Sequence, residues 1–337
     1  MVAWQLLHGR HDLPWQNTRD PYRVWLSEVM LQQTQVSTVI GYFQRFVTRF
    51  PDVRALARSS LDDVMGLWSG LGYYSRARNL HRCAIEVVQH WDGVFPGDAR
   101  TLASLPGIGR STAAAIASLC FGERVAILDA NVRRVLTRVL GFDADLALHS
   151  SQQRLWDAAT DLLPRRTLEQ AMPRYTQGMM DLGATVCLPR RPLCDRCPVQ
   201  SQCMAHGQGR PQAYPVRTRT LKRSALSVWL LWARSTSRDA VWLQRRPSPG
   251  VWAGLHCLPW FDSRAALEDQ VPLDYRAALR DQPAFTHVLT HKDLHLHPVQ
   301  VELPKKAFAP QAGNWFEADA WPQLGLPAPV RRILLQA

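Results

Sequence analysis

The sequence predicts a mostly helical N-terminal domain followed by a smaller α+β domain. Its 337 residues are enough for two domains, and its 46% hydrophobic content is that of an ordinary globular protein. The stretches that begin near Tyr22 and Ser111 have helical character, whereas strand-like segments appear only after a polar, basic stretch at residues 207–224. That stretch lacks hydrophobic periodicity, and we interpret it as a linker between a domain at 1–206 and a domain at 225–337.

The charge of the chain indicates a polyanionic partner. The formal net charge is +12, and nucleic acid is favoured over membrane because no basic amphipathic anchor stands out. No apolar stretch approaches the roughly 20 residues of a membrane span, and the N-terminus lacks a signal-peptide core. The seven cysteines show no disulfide-like framework. We therefore expect a cytoplasmic protein associated with the bacterial nucleoid, without a membrane partner.

A glycine hairpin organises residues 105–131, which read LPGIGRSTAAAIASLCFGERVAILDAN. Gly107 and Gly109 permit a tight turn, and the Ala-rich helix that starts at Ser111 would direct its free N-terminal amides toward a phosphate. Asp129 then stands just ahead of a second helix. Each feature taken alone is more often structural, since glycine turns and capping aspartates are common.

Glu28 is the first candidate catalytic residue. It is surrounded in sequence by Val24, Trp25, Val29 and Met30 on a predicted helix. Such surroundings would remove water from the carboxyl, raise its pKa and make it a proton donor near neutral pH. The alternative is an ordinary glutamate at the edge of an amphipathic helix.

Two polar or aromatic positions suit contact with a duplex. Gln33 follows the helix of Glu28, and amides can fill a gap in a duplex or read base edges. Tyr73 precedes Arg76 and Arg78, an arrangement that suits stacking on bases beside phosphate contacts. Surface polarity for Gln33 and plain packing for Tyr73 are the alternatives.

Four cysteines form the second strong signal. Their spacing is C-x6-C-x2-C-x5-C, and they are Cys187, Cys194, Cys197 and Cys203. Thiols this crowded in a reducing compartment indicate a metal centre. Zinc competes with iron and sulfur here, although structural zinc sites usually have two short Cys-x-x-Cys pairs and this sequence has one.

These motifs together resemble those of one protein family. The segments LPW, PYRVWLSEVMLQQTQV, GLGYYSRARNLH, LPGIGRSTAAAI, LDANVRRVL and QGMMDLGATVC occur in the order and spacing of the MutY family of adenine DNA glycosylases. The resemblance covers essentially the whole chain. It implies a helix-hairpin-helix glycosylase domain of the endonuclease III superfamily, a [4Fe-4S] cluster on the four cysteines, and excision of adenine opposite 8-oxoguanine, or opposite guanine, in double-stranded DNA.

The resemblance also implies roles for the residues near the two carboxylates. Glu28 would protonate a flipped-out adenine at N7, and Asp129, kept ionised by the helix start and Asn131, would stabilise the oxocarbenium-like sugar. Gln177 would help to hold the base. Ala130 departs from the family, which usually has glycine there, so a requirement for positive φ would strain this loop.

The remaining DNA contacts follow from the same resemblance. Gln33 and Tyr73 would enter the duplex, and Gly107 and Gly109 would approach a phosphate. Ser111 occupies the position of the Schiff-base lysine of the related lyases. The resemblance therefore implies a monofunctional glycosylase.

The C-terminal segment RRPSPGVWAGLHCLPWF resembles the opening of the MutT-like, or Nudix-like, domain of the same family. The acidic metal-binding helix of active Nudix hydrolases should follow, yet no Arg-Glu-x-x-Glu-Glu pattern is present, so we expect no nucleotide hydrolysis. The segment AFTHVLTHKDL places Leu289, Thr290 and His291 where this domain recognises 8-oxoguanine. Leu289 and Thr290 replace the family's Phe and Ser.

Two other functions remain open. A bifunctional glycosylase and lyase of the endonuclease III kind would share the hairpin and the cluster. A non-enzymatic DNA-binding redox module would explain the charge and the cysteines but would leave Glu28 and Asp129 without a role. In each case we expect a monomer.

Overall fold

The computed structural model describes residues 1–218, 222–237, 239–308, 310 and 312–336. The chain forms two compact units. The first consists of Met1–Arg58 and Asn79–Thr220, and the second consists of Ser59–Arg78 and Leu221–Ala337. The segment 59–78 thus groups with the C-terminal part of the chain, which differs from the division predicted from the linker.

All the regular secondary structure in residues 1–218 is helical, and it consists of α-helices and three short 3₁₀ helices. The α-helices are, in chain order, α1 (Val2–His8), α2 (Pro21–Leu31), α3 (Val36–Arg49), α4 (Val53–Arg58), α5 (Leu61–Trp68), α6 (Ser75–Trp91), α7 (Ala99–Leu102), α8 (Arg110–Phe121), α9 (Ala130–Val139), α10 (His149–Asp161), α11 (Leu168–Thr185) and α12 (Met204–Gly207). The predicted helical character of this region is confirmed. Among the described helices, none is long and apolar enough to cross a membrane.

Local capping explains where the predicted helices begin. Asp20 accepts a hydrogen bond from the Tyr22 amide at 2.9 Å, and Pro21 occupies the first helical position of α2. α2 ends at Leu31, so Gln33 lies in the turn before α3 rather than on the helix. A well-defined turn therefore positions this side chain.

One hydrophobic cluster of the first unit lies among α8, α9, α10 and α11. Its buried side chains include Ala114, Ala115, Val132, Leu136, Leu155, Met172 and Leu182. Gly183 allows α11 to approach the start of α9, because a Cβ at this glycine would lie 2.6 Å from the Cβ of Asn131. This close packing fixes the start of α9, where Asp129 is located.

The second unit is built on a mixed sheet. Its strands are β1 (Ser224–Ser235), β2 (Ala240–Arg245), β3 (His256–Cys257), β4 (Trp260–Phe261), β5 (Arg280–Asp281), β6 (Phe285–Val288), β7 (Lys292–Leu303) and β8 (Asn314–Glu317). The main order is β3-β2-β1-β7-β5, while β4 pairs with β1, β6 with β7 and β8 with β2. β1 and β7 run parallel, in register from Ser224↔Lys292 to Ser235↔Leu303. With α13 (Arg264–Asp269), α14 (Leu273–Arg276) and α15 (Ala328–Leu334), the sheet confirms the predicted α+β class.

Buried and more exposed side chains alternate along only part of β7. Leu294 and Leu296 are buried and His295 is exposed, but Pro298 and Val299 are both buried, so the buried phase changes there. β6 pairs antiparallel with β7, and the Leu289 amide donates to the Lys292 carbonyl at 2.8 Å across the connecting turn. The predicted recognition loop is therefore a hairpin turn.

Segment 59–78 belongs to the second unit for specific reasons. Asp62 forms an ion pair with Arg245 at 2.7 Å, and the Tyr74 hydroxyl donates to the Leu326 carbonyl at 2.9 Å. A Cβ at Gly66 would lie 2.2 Å from the Gln323 carbonyl oxygen, so α5 packs directly on the backbone before α15. These contacts could not be predicted from the linker composition.

Candidate functional site

Glu28 has the electrostatic setting of a proton donor. It lies on α2 between the buried residues Ser27 and Val29 and is itself only partly exposed. Loss of hydration raises the pKa of Glu28 to about 7, and the charge of Asp129 adds to the increase. A carboxyl with this pKa retains its proton close to neutral pH, as predicted from its apolar neighbours.

Asp129 caps α9 as the sequence predicted. Its side chain accepts a hydrogen bond from the Val132 amide at 2.7 Å. Burial raises the pKa of Asp129, and this effect outweighs the opposing hydrogen bonds from the Val132 and Asn131 amides and the positive charge of Arg134. The helix start does favour the ionised form, as expected, but the net shift is upward because the carboxyl is desolvated.

Asn131 supports the site indirectly. Its side-chain oxygen accepts a hydrogen bond from Arg134 at 2.9 Å, and Arg134 also donates to the carbonyls of Gly183 at 2.6 Å and Cys187 at 2.8 Å. The Asn131 side chain thus helps to tie α9 to the end of α11. Ala130 is absent from the described residues with positive φ, so alanine fits here without backbone strain.

The two glycines of the hairpin have different structural roles. Gly107 has a φ of 76°, and a Cβ there would lie 2.6 Å from the Cβ of Asn79, so this position requires glycine. A Cβ at Gly109 would have nothing within 4 Å. Gly109 is the N-cap of α8, and its missing side chain leaves the helix start open to an incoming group.

Ser111 connects α8 to the loop that carries Asp129. Its hydroxyl oxygen accepts a hydrogen bond from the Leu128 amide at 3.1 Å. Leu128 directly precedes Asp129, so this bond helps to fix the carboxylate. The sequence indicated the position of Ser111 but not this contact.

A pocket of about 360 Å³ lies between the N-terminal loop and α11. Gln177 lines it from α11, and Val24, one helical turn before Glu28, lines it from α2. Its other lining residues are Gln5, Leu6, Arg10, His11, Trp15, Gln16, Asn17, Thr18, Arg19, Leu119, Pro173 and Arg174. Of these lining residues, the sequence predicts only Gln177 as a site residue.

Gln16 shows why the other residues were missed. Its side-chain oxygen accepts a hydrogen bond from the Leu13 amide at 3.3 Å. Its Nε2 is buried without a partner among the described residues. A buried donor without a protein partner at a pocket wall is available to an acceptor on a ligand or to water, but only the tertiary structure reveals the burial.

Gln33 is held in an unusual backbone conformation. Its backbone φ is 59°, a value that residues other than glycine rarely adopt, and the residue is exposed. Strained residues of this kind cluster at functional sites. The conformation supports the predicted insertion of this amide.

All four predicted cysteine ligands line one small cavity of the first unit, together with Arg138. An Nη of Arg138 donates to the Cys187 sulfur at 3.3 Å and to the Leu188 carbonyl at 2.7 Å. Burial and the negative charge of the neighbouring thiols raise the pKa of Cys194 and Cys197, so their thiolates need added positive charge. Among the described residues, no group of three His, Cys, Asp or Glu is placed to hold a metal ion.

The second unit brings three predicted recognition residues together. The hydroxyls of Tyr73 and Thr290, 217 positions apart in the chain, are 2.9 Å from each other. Both residues and His291 line a cavity of about 510 Å³, whose wall also includes Arg78 and Trp252. Tyr73 has a φ of 49°, again in the region that favours glycine.

Arg223 supports this cavity from behind the hairpin turn. It donates to the Leu289 carbonyl at 2.9 Å and to the Thr290 carbonyl at 3.1 Å, and it pairs with Asp293. The turn is thereby held while the Thr290 and His291 side chains stay exposed. Arg223 falls within the predicted linker, so no pattern in the sequence indicates its role in holding the turn.

Two family models match different parts of the chain. Residues 26–160 match the family described as HhH-GPD superfamily base excision DNA repair protein, and residues 228–336 match the NUDIX domain. The adenine DNA glycosylase of Buchnera aphidicola subsp. Acyrthosiphon pisum is 34% identical over 342 residues, covering 99% of this chain and 95% of that protein. The adenine DNA glycosylase of Rattus norvegicus is 48% identical over 228 residues, or 64% of this chain and 43% of that protein.

A solved structure extends this likeness to the fold. The structure of a thermostable thymine-DNA glycosylase aligns with a TM-score of 0.53 and 27% identity, covering 61% of this chain and 93% of that one. The chain therefore belongs to the MutY family of adenine DNA glycosylases, within the HhH-GPD superfamily of base-excision DNA repair proteins.

Proposed function

We propose that this protein removes adenine mispaired with 8-oxoguanine, and also with guanine, from double-stranded DNA. The observation that carries the proposal is the electrostatic pairing of Glu28, whose pKa is raised to about 7, with a second carboxyl at Asp129 whose pKa is also raised by desolvation. Two carboxyl groups whose environments differ divide the roles of proton donor and charge stabiliser in glycosidic cleavage.

The reaction begins with adenine outside the duplex, because its glycosidic bond cannot be reached within the stack. Glu28 donates its proton to N7 of the base, and the electrons of the glycosidic bond leave with the base, which departs neutral. Asp129 then stabilises the positive charge of the oxocarbenium-like sugar or bonds to it transiently. Water completes the hydrolysis and leaves an abasic site.

Each unit has its own part in this proposal. The pocket beside Gln177 receives the flipped base in the first unit, with Gln33 entering the duplex. In the second unit, Tyr73 also enters the duplex and Thr290 and His291 hydrogen-bond the opposite base. The exposed hydroxyl and imidazole of Thr290 and His291, beside Tyr73, support this reading.

The test uses duplexes that carry adenine opposite 8-oxoguanine, guanine or thymine. We expect adenine release from the first two, fastest opposite 8-oxoguanine, and negligible release opposite thymine. Release and strand cleavage are measured separately, by chromatography of the free base and by gel electrophoresis with and without alkali. Equal release from all three duplexes, or none, would overturn the proposal.

We also propose that the enzyme is monofunctional. The side chain at the position of the lyase nucleophile is Ser111, whose hydroxyl accepts a backbone hydrogen bond and offers no amine. The product strand should remain intact until alkali is added. Efficient trapping of a covalent complex with borohydride would contradict this.

The four cysteines are proposed to hold a [4Fe-4S] cluster. They line one cavity, and their mutually repelling thiolates need the positive charge that iron supplies. When bound, the cluster supplies a structural crosslink of the loop 187–203. Anaerobically purified protein should contain about four iron atoms per chain, whereas stoichiometric zinc would contradict the assignment.

A further inference from the structure

A buried carboxylate connects the two walls of the base pocket. Asp181, on α11, has a side chain only 1% exposed. One of its oxygens accepts hydrogen bonds from Arg10 Nε at 2.7 Å and Gln177 Nε2 at 3.0 Å, and the other accepts from the Arg10 amide at 3.0 Å. Arg10 and Gln177 both line the pocket.

This network determines which way the Gln177 amide points. An ionised carboxylate can only accept hydrogen bonds, so Gln177 must turn its NH₂ group toward Asp181. Its carbonyl oxygen is then left free for an occupant of the pocket. The pocket therefore offers an acceptor on the α11 wall.

The N-terminal loop, another part of the pocket wall, offers a donor. The buried Nε2 of Gln16 has no partner among the described residues, and the loop that carries Gln16 follows Arg10, which Asp181 anchors through the main chain. Adenine presents an exocyclic amine, which donates, and ring nitrogens, which accept. A purine with an oxygen at position 6, such as hypoxanthine, presents an acceptor where adenine presents the amine.

We propose that Asp181 is a positioning residue that sets the base preference of the pocket by fixing the orientation of the Gln177 amide. The inference rests on the proposed function, since it concerns how the excised base is chosen. A site built to hydrogen-bond one polar group rejects an analogue that lacks it more strongly than an apolar pocket does.

The test compares single-turnover excision of adenine and of hypoxanthine, each placed opposite 8-oxoguanine. Asp181→Ala removes both acceptor oxygens and frees the Gln177 amide to turn. We expect the ratio of the adenine rate to the hypoxanthine rate to fall about tenfold, the scale of one net hydrogen bond. Thr185→Val is the matched control, because the Thr185 hydroxyl donates only to the Asp181 carbonyl on the same helix, and its ratio should stay unchanged.

A double-mutant cycle separates positioning from general damage to the fold. Gln177→Leu alone should lower the ratio to a similar extent, and Asp181→Ala in that background should change the ratio no further. An additional drop of similar size in the double variant would show that Asp181 does not act through Gln177, and would overturn the inference.

Folding of each variant is checked by thermal melting and by circular dichroism. Should Asp181→Ala not fold, Asp181→Asn keeps the volume and one oxygen, and a smaller drop in the ratio is expected. An unchanged ratio in the folded variant, or a wild-type enzyme without preference for adenine over hypoxanthine, overturns the inference while leaving adenine excision intact. Absence of adenine release by the wild type would instead reject the proposed function.

Discussion

The carboxylate site of the first unit and the cavity at Thr290 of the second unit differ in how exposed their functional groups are to water. Glu28 lies among buried neighbours and its pKa is raised to about 7. Thr290 and His291 are exposed. Proton transfer near neutral pH needs a carboxyl that has lost its water, whereas hydrogen-bond recognition of a base edge needs groups that remain accessible.

The two regions also differ in how the chain builds them. Asp129 is positioned by a helix cap within four residues, and Glu28 by the apolar face of its own helix. The cavity of the second unit depends on Tyr73 and Thr290, which are 217 positions apart. Local rules therefore create most of the chemistry, and long-range packing creates the recognition surface.

Glu28→Gln should cause the largest loss. An amide of the same shape cannot donate a proton to the base, so the single-turnover excision rate should fall about 10²- to 10⁴-fold. DNA affinity, measured by fluorescence anisotropy, should change little. Substantial excision by this variant would remove Glu28 from the chemistry.

Asp129→Asn should come next, with a loss of about 10²- to 10³-fold in excision rate. Asparagine caps helices about as well as aspartate, so the thermal midpoint should be nearly unchanged. Asp129→Ala also removes the cap on the Val132 amide. This variant should therefore lower the free energy of unfolding by about 0.5–2 kcal/mol. If Asp129→Asn loses activity while its thermal midpoint is unchanged, the loss is due to the missing negative charge and not to the helix cap.

The pH dependence of excision follows from the raised pKa of Glu28. The proton donor is present below a pH of about 7 and is lost above it. The single-turnover rate should fall about tenfold for each pH unit above that value. The residual rate of Glu28→Gln should not show this decrease above pH 7. The same decrease in that variant would show that another group is responsible for the pH dependence.

Thr290→Ala combined with His291→Ala should leave excision chemistry intact but weaken the choice of opposite base. The preference for 8-oxoguanine over guanine should fall by about 1–3 kcal/mol, or roughly 5- to 150-fold. Thr286→Ala is the control, since this exposed hydroxyl contacts His295 and does not line the cavity. A uniform loss of DNA affinity with preference retained would make the turn a phosphate contact.

The smallest effects should come from the hairpin glycines. Gly107→Ala should lower the free energy of unfolding by about 1 kcal/mol or more, because φ is positive and Asn79 occupies the space of the new Cβ. Gly109→Ala should leave stability unchanged and weaken DNA binding alone. Urea unfolding and anisotropy titrations distinguish the two, and equal loss of stability would contradict the different tasks of these glycines.

The sequence by itself determined the local features of both units. Helical spacing and propensity predicted α2, α8 and α9, strand-like segments after residue 224 predicted β1, β2 and β7, and the cysteine spacing predicted the loop that lines one cavity. These features depend on residues within one or two turns or along one strand. The nearby apolar residues likewise predicted the direction of the Glu28 pKa shift.

The tertiary structure decided what depends on burial and on distant partners. It grouped segment 59–78 with the second unit, shifted the pKa of Asp129 upward despite its helix cap, and buried the free amide of Gln16. It also brought Asp181 to Arg10, which lies 171 positions earlier in the chain. Desolvation and long-range hydrogen bonds arise only when distant segments pack together, so no local pattern in the sequence contains them.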